Sequence, residues 1–316
     1  MEDFFAPMTT ESGMTTFQKK ASSSDGLYRP KFEEAKDKKV GYKSVIRFLA
    51  NLKADKTRGE SAIVRNMHYV KLADPNYTSL NGYYDSAKSF GEKTCPLTSL
   101  YWDLRNSKSV LDNDKAGLIP YTTRFYSYIQ IMEDEQHPEL EGKIMIFPYG
   151  TKIKKKIEEE MEGLISGEKV NVFDLVNGKD FVLIINEVAG YQNYDSSRFR
   201  GVSSPIKING KAVPTDDQNG AKVISANARE TVANYLLTRE NQLEDFAPKR
   251  WDADTASKVQ RIIGILTNAP KPVGANNTVS ADEFSADALT GSQPAPAPAQ
   301  TFTKQTDPDS FFSFDD

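Results

Sequence analysis

The chain is poor in the residues from which most enzyme centres are built. Of 316 residues one is cysteine, Cys95, and two are histidine, His68 and His137. A single cysteine excludes an intramolecular disulfide and fits a reducing compartment. Two histidines leave little material for histidine-based catalysis, and no G-x-S-x-G elbow is present to hold a nucleophilic serine. The stretch GEKTCP at 91–96 echoes the end of a phosphate loop, but the full G-x-x-x-x-G-K-[ST] is missing, as is G-x-G-x-x-G. His68 and Cys95 are two possible zinc ligands where a structural site needs four. No compact acidic pair marks a magnesium site. No apolar run approaches the roughly 20 residues of a membrane span. The acidic start, MEDFFAPMTTESG, lacks the basic-then-apolar layout of a signal peptide. These absences point away from an enzyme, a bound cofactor and a membrane, and towards a cytosolic binding protein.

What is present is charge, unevenly placed. From residue 280 onward seven acids face one base, Lys304, although the whole chain carries only −4. The first 279 residues therefore carry about +2. A mildly basic body with an acidic tail fits a polyanionic partner that the tail imitates.

Periodicity divides the chain into a flexible arm (1–27), a folded core (28–270) and a linker with an acidic aromatic tail (271–316). In the core, KSVIRFLANL (43–52) and SAIVRNMHYVK (61–71) alternate as strands. Residues 72–120 are irregular and read as an inserted subdomain with one short helix at TSLYWDLRNS. YTTRFYSYIQIMED (121–134) alternates cleanly, with GKIMIFPYG (142–150) as its hairpin partner. TKIKKKIEEEMEGLI (151–165) has helical spacing. KVNVFDLVNGKDFVLIINEVAG (169–190) reads as strand, Asn-Gly turn and strand. Residues 220–268 read as mainly helical. The expected fold is mainly β with helical additions: an OB-like antiparallel barrel core with a helical C-terminal part.

Three features carry candidate chemistry. If Phe125, Ile129 and Ile131 face the core, Arg124, Tyr126 and Tyr128 share the other face, and Phe147 and Tyr149 lie opposite Ile144 and Ile146. A sheet face of tyrosine and arginine is a platform for unpaired bases; the alternative is a second core layer under the C-terminal helices. The 151–165 helix places Lys152, Lys154 and Lys155 first and its glutamates last, against the helix dipole. Lysines at a helix start make a phosphate site; the alternative is a solvated charged face. Just past an apolar strand, GYQNYDSSRF (190–199) crowds Tyr191, Tyr194, Arg198 and Phe199 into a turn, a candidate stacking corner. Arg47, on the first strand, joins this nucleic-acid-binding set.

In order and spacing, SVIRFL (44–49), AIVRNMH (62–68), NGYY (81–84), CP (95–96), EGKIMIFPYGTKI (141–153), DFVLIINEVAGYQNYDSSRF (180–199) and LEDFAPKRWD (243–252) resemble the single-stranded DNA-binding, helix-destabilising proteins of T-even-type phages. The resemblance implies an OB-fold core that coats single-stranded DNA without sequence preference. Tyr194 and Phe147 match aromatics of the DNA cleft, with Arg124, Phe125, Tyr126 and Tyr128 as a group beside them. It further implies self-association along the strand through the arm, at Lys19 and Lys20 in KKASS. Replication and recombination proteins would be recruited by the tail, at Phe311, Phe312, Phe314, Asp315 and Asp316. The setting would be the cytoplasm of the infected bacterial host. One departure stands out. The family pattern carries zinc on one His and three Cys; His68 and Cys95 match two ligands, Thr98 stands at a third, and the cysteine near 85–90 is absent. Two ligands do not close a tetrahedral site, so residues 72–120 are expected to be held by packing of Tyr83, Tyr84, Leu100, Tyr101 and Trp102. The rival readings are an RNA-binding or recombination-mediator protein on the same barrel, and a metal-dependent nuclease.

Overall fold

The structure, a computed structural model, describes residues 26–165 and 167–268. The arm and tail positions Lys19, Lys20, Phe311, Phe312, Phe314, Asp315 and Asp316 lie outside the described residues.

The expected strands form one antiparallel sheet. Its strands are β1 (Tyr42–Phe48), β2 (Ile63–Val70), β3 (Gly82–Asp85), β4 (Tyr121–Asp134), β5 (Ile144–Tyr149), β6 (Lys179–Val188), β7 (Tyr191–Asn193) and β8 (Arg198–Ser203). The order is β3-β2-β4-β1-β6-β7, with β5 added to β4 and β8 to β6. No pairing among the described residues joins the ends, so the mainly-β class is seen but the expected OB-like barrel does not appear as a closed sheet. β4 is long enough to pair with three strands: its first half takes β2, its second half β1, and its opposite edge β5.

Side chains alternate across β4 as the pattern predicts, but both faces are covered. On one face Phe125, Ile129 and Ile131 join Ile46, Phe48, Phe147, Tyr149, Phe181 and Leu183 in an aromatic-rich core. Rings from β5, β6 and β8 all meet Phe48, at 5.7 Å for Tyr149, 5.8 Å for Phe181 and 6.2 Å for Phe199. α3 (Thr151–Met161) lays Ile153 and Ile157 over this core. On the other face Tyr126, Tyr128, Ile144 and Ile146 pack against Val232, Ala233 and Leu236 of α4 (Arg229–Leu236) and against Leu243.

The inserted subdomain holds α1 (Pro96–Asn106), which starts with Pro at its first position, and α2 (Val110–Gly117), capped by Ser109. Its core of Leu72, Leu80, Tyr84, Phe90, Leu97 and Ile119 is closed by Val259, Ile262 and Leu266 of α5 (Ala253–Asn268). Of the residues expected to pack it, Tyr84 is buried and Leu100 and Tyr101 pack partly, whereas Tyr83 and Trp102 are 40% and 45% exposed. No helix among the described residues is long and apolar enough to cross a membrane.

The 169–190 hairpin is not formed. Residues 171–178 are turns, because Asn171 and Asp174 accept from nearby backbone N–H groups: Phe173 to Asn171 Oδ1, and Val176 and Asn177 to Asp174 Oδ1. This Asx chemistry competes successfully with the strand ladder. The true hairpin turn lies one strand later, at Ala189–Gly190, where φ is +53° and +82° between β6 and β7. Two further small hairpins, β9–β10 (Lys207–Ile208, Lys211–Ala212) and β11–β12 (Thr215–Gln218, Ala221–Ile224), turn on Asn209-Gly210 and Asn219-Gly220.

Arg47 sits inside the protein, contrary to its expected place on a binding face. It is 0% exposed, donates to Asp174 O at 2.7 Å and pairs with Asp180 at 3.5 Å. Burial pushes its guanidinium down to about 10, against the pull of Asp180 and Asp174. Gly178 makes room for it: a Cβ there would stand 2.8 Å from Arg47 Nη2 and 2.6 Å from Asp174 O. Removing one partner of a buried pair strands the other. Arg47→Met is therefore expected to cost ~3–5 kcal/mol in urea unfolding, with part of the loss restored by Asp180→Leu added to it. A loss under 1 kcal/mol would show that the pair is not structural.

Candidate nucleic-acid interface

The aromatic platform expected on β4 and β5 is interior. Arg124, Phe125, Tyr126, Tyr128, Phe147 and Tyr149 are all buried. Phe246 stacks on Tyr126 with centroids 5.1 Å apart. The Tyr128 hydroxyl donates to Asn241 O at 3.1 Å and accepts from Leu243 N–H at 2.6 Å, and the Arg239 guanidinium lies 4.4 Å from its ring centre. Tyr149 shares a 3.0 Å hydrogen bond with Ser127. The physical reason is the segment 228–247, which covers one face of the sheet as the core covers the other.

The GYQNYDSSRF corner is also rearranged. Tyr194 points into the core and is 5% exposed; burial pushes its phenol up to about 12. Its hydroxyl donates to Gln192 Oε1 at 2.9 Å. Phe199 packs on Phe181 at 4.9 Å. Arg198 is exposed and Tyr191 is half-buried. The start of α3 is tied to this corner: Lys152 donates to Asp195 Oδ1 at 2.8 Å and Lys156 to Asp195 O at 3.0 Å. Lys154 pairs with Glu158, Lys155 with Glu159, and Glu160 is buried against Lys179. Tertiary partners thus account for much of the helix's reversed charge order. Lys152, Lys154, Lys155 and Arg198 remain at the surface, with Lys154 Nζ 5.9 Å from the Phe125 ring centre.

The sequence reading missed a cleft of about 490 Å³ between the sheet and the inserted subdomain. One wall is the loop KADKTRGE (53–60), folded on itself by Lys53 N–H to Thr57 O and Gly59 N–H to Asn51 O. The other wall is the Lys88–Ser89 turn, and Glu244, Ala247 and Pro248 close it from the C-terminal side. Its floor is the first half of β2. There β3 pairs only with Met67–Val70, so Ile63–Asn66 have no strand on that edge. Lys53 and Lys88 are exposed and Arg58 lines the same cleft. Val64 on the floor pairs across to Phe125, the ring beneath Lys154, so cleft and α3 start are neighbours. Five charged residues within eight, K-x-D-K-x-R-x-E, were the available signal in the sequence.

The positions where the resemblance implies zinc form a hydrogen-bonded knot. His68 Nδ1 lies 2.9 Å from Ile119 O, so that nitrogen carries the proton and donates. Nε2 then accepts from Thr98 Oγ1 at 2.9 Å, and Thr98 in turn accepts from Ser86 at 2.9 Å. Burial pushes the imidazole down to about 4, which keeps it neutral. Burial also pushes the Cys95 thiol up, but hydrogen bonds involving Thr98, Ala87 and Ser86 outweigh it and hold the thiol below its ordinary value. The nitrogen a metal would take is already occupied, and among the described residues no three His, Cys, Asp or Glu are placed to hold a metal. These residues do not fit a zinc ion.

A family model described as "gp32 DNA binding protein like" matches residues 41–261. The single-stranded DNA-binding protein of Enterobacteria phage T2 is 31% identical over 185 residues, which are 57% of this chain and 55% of that protein. The protein of the same description from Enterobacteria phage T4 is 30% identical over 148 residues, 46% of this chain and 43% of that protein. The chain thus spans about half the length of the curated relatives it matches.

If the knot replaces a metal, chelation with EDTA leaves the thermal midpoint unchanged and elemental analysis finds no stoichiometric zinc. Thr98→Val, which keeps the shape and removes the hydroxyl, strands His68 Nε2 and should cost ~1–3 kcal/mol. One zinc per chain in purified protein would overturn this.

Proposed function

The chain belongs to the gp32-like DNA-binding family, and on that premise we propose that it binds single-stranded DNA, without catalysing a reaction on it. The observation that carries this reading is the cleft: the edge of β2 at Ile63–Arg65 that no strand covers, flanked by Lys53, Arg58 and Lys88. Such a groove tracks a phosphate backbone. Arg198 and the α3 lysines extend the track past the Phe125 ring. Tyr191 remains a candidate for base stacking at the corner, and the exposed Tyr83 joins it from β3. The buried Tyr126, Tyr128, Phe147, Tyr149 and Tyr194 support the track as its scaffold, and Arg47 with them.

In this reading the protein coats exposed strands during phage replication, recombination and repair, in the cytoplasm of the infected host. Lys19 and Lys20 of the arm contact the neighbouring copy, and the tail's phenylalanines and aspartates dock replication proteins. Affinity falls with salt as counterions return to the strand.

Titration of labelled oligo(dT) in a salt series tests the groove. Lys53→Ala and Lys88→Ala are each expected to lower the slope of log K against log salt by about 0.7, with the fold unchanged. Unchanged slopes for both would remove the cleft from the binding track. Competition by single-stranded RNA and duplex DNA separates this function from an RNA-binding one, and magnesium-dependent degradation of the strand would reveal a nuclease.

A further inference from the structure

One carboxylate ties two walls of the cleft to its floor. Asp85 ends β3, is 6% exposed, and stands two residues before the Ala87–Phe90 turn that carries Lys88 and Ser89. Arg65, on the floor strand, grips both of its oxygens, Nε at Oδ1 and Nη2 at Oδ2 over 3.1 Å. Oδ2 also accepts from Lys249 N–H at 2.9 Å, and the Asp85 carbonyl accepts from Trp251 Nε1 at 2.7 Å. Residues 247–251 form the C-terminal side of the cleft, which Ala247 and Pro248 line. Floor, insert wall and C-terminal wall thus meet at a single residue. Asn66 fixes the root of the turn, accepting from Ser86 N–H at 2.8 Å and donating to Ser89 Oγ at 3.2 Å. Arg250 adds an exposed pair with Glu92 at 3.1 Å, a weaker tie.

We propose that Asp85 is a positioning residue of the binding track: by clamping the insert and residues 247–251 to β2, it holds Lys88 across the cleft from Lys53. The inference rests on the single-stranded DNA reading above. It involves no contact with a base and so implies no sequence preference. A bidentate pair of carboxylate and guanidinium fixes angle as well as distance. A lysine on its flexible four-carbon stem cannot do that for itself. A cation set in place beforehand loses less freedom when a phosphate arrives. The competing role for Asp85 is charge alone. Arg65 stands directly across the ladder from Arg124, and like charges so placed repel. A carboxylate placed only to neutralise them would oppose phosphate binding, whereas a clamp favours it, so the two roles differ in sign.

The test titrates oligo(dT) over a salt series with Asp85→Asn and with wild type. Asparagine keeps the size, removes the charge and turns a donor towards Arg65 or the Lys249 N–H, where each needs an acceptor. The expected result is a slope of log K against log salt smaller in magnitude by ~0.7, with Lys88→Ala added to Asp85→Asn lowering it no further. Trp251→Phe frees the Asp85 carbonyl without any change of charge. It should shrink the effect of Lys88→Ala in the same direction, and it carries the test if Asp85→Asn does not fold. Without DNA, the amides of residues 86–90 and of Lys249 should exchange hydrogen roughly tenfold faster in Asp85→Asn. A slope larger by ~0.7, the mark of one negative charge removed, would overturn the proposal. So would a Lys88→Ala effect undiminished in both variants, or unchanged exchange. If Lys88→Ala leaves the wild-type slope unaltered, the cleft is not the track and Asp85 positions nothing for DNA; faster exchange in Asp85→Asn would then mark the clamp as structural only.

Discussion

Everything in this protein is organised by the burial of β4 on both faces. One strand supplies Phe125, Ile129 and Ile131 to the inner core, Tyr126 and Tyr128 to the outer one, and edges to β1, β2 and β5. A strand in that position tolerates no exposed platform, because both of its surfaces are already covered. It also fixes where a long ligand can lie. The open sheet edge is on the start of β2, one strand away, where β3 does not reach, and the cleft forms there.

Burial on this scale includes polar groups, and the charged ones at the centre of the sheet are paired. Tyr28 and Tyr42 both donate to Asp134 Oδ2, at 2.7 and 2.6 Å, where the described chain enters the core. Arg47 is held by Asp180 and the Asp174 carbonyl, and Lys179 by Glu160. Such pairs add little net stability compared with apolar packing but penalise any other register heavily. They explain why a chain with so many charged residues has so few of its interior ones available to a ligand.

Much of this was legible in the sequence. The alternation of β1, β2, β4 and β5, the helices at 96–106, 151–161 and 253–268, and the irregular insert all follow from local pattern. What local pattern cannot settle is which covered face is which. Tyr and Arg have apolar bodies and polar tips, so Arg124, Tyr126 and Tyr128 suit a wet face or a second core equally well. The decision came from Leu243 and Asn241, more than a hundred residues away, which satisfy the Tyr128 hydroxyl. Asn-Gly is equally ambiguous. It turns hairpins at 209–210 and 219–220, but at 177–178 the Asp174 carboxylate captures the backbone first. The cleft escaped notice because a charged loop without apolar periodicity resembles any solvated loop. It becomes a wall only when Lys88 of the insert is brought opposite it.

The hydrogen-bonded knot of Ser86, Thr98, His68 and the Ile119 carbonyl has a kinetic side. All four partners arrive on one polypeptide, so its closure is a first-order event. A subdomain closed by a captured ion waits on that ion's concentration and must shed protons to take it. The knot itself closes with groups the chain already carries. Its direction is fixed as well: each hydroxyl donates one way along the relay, and the carbonyl at its end anchors the whole run.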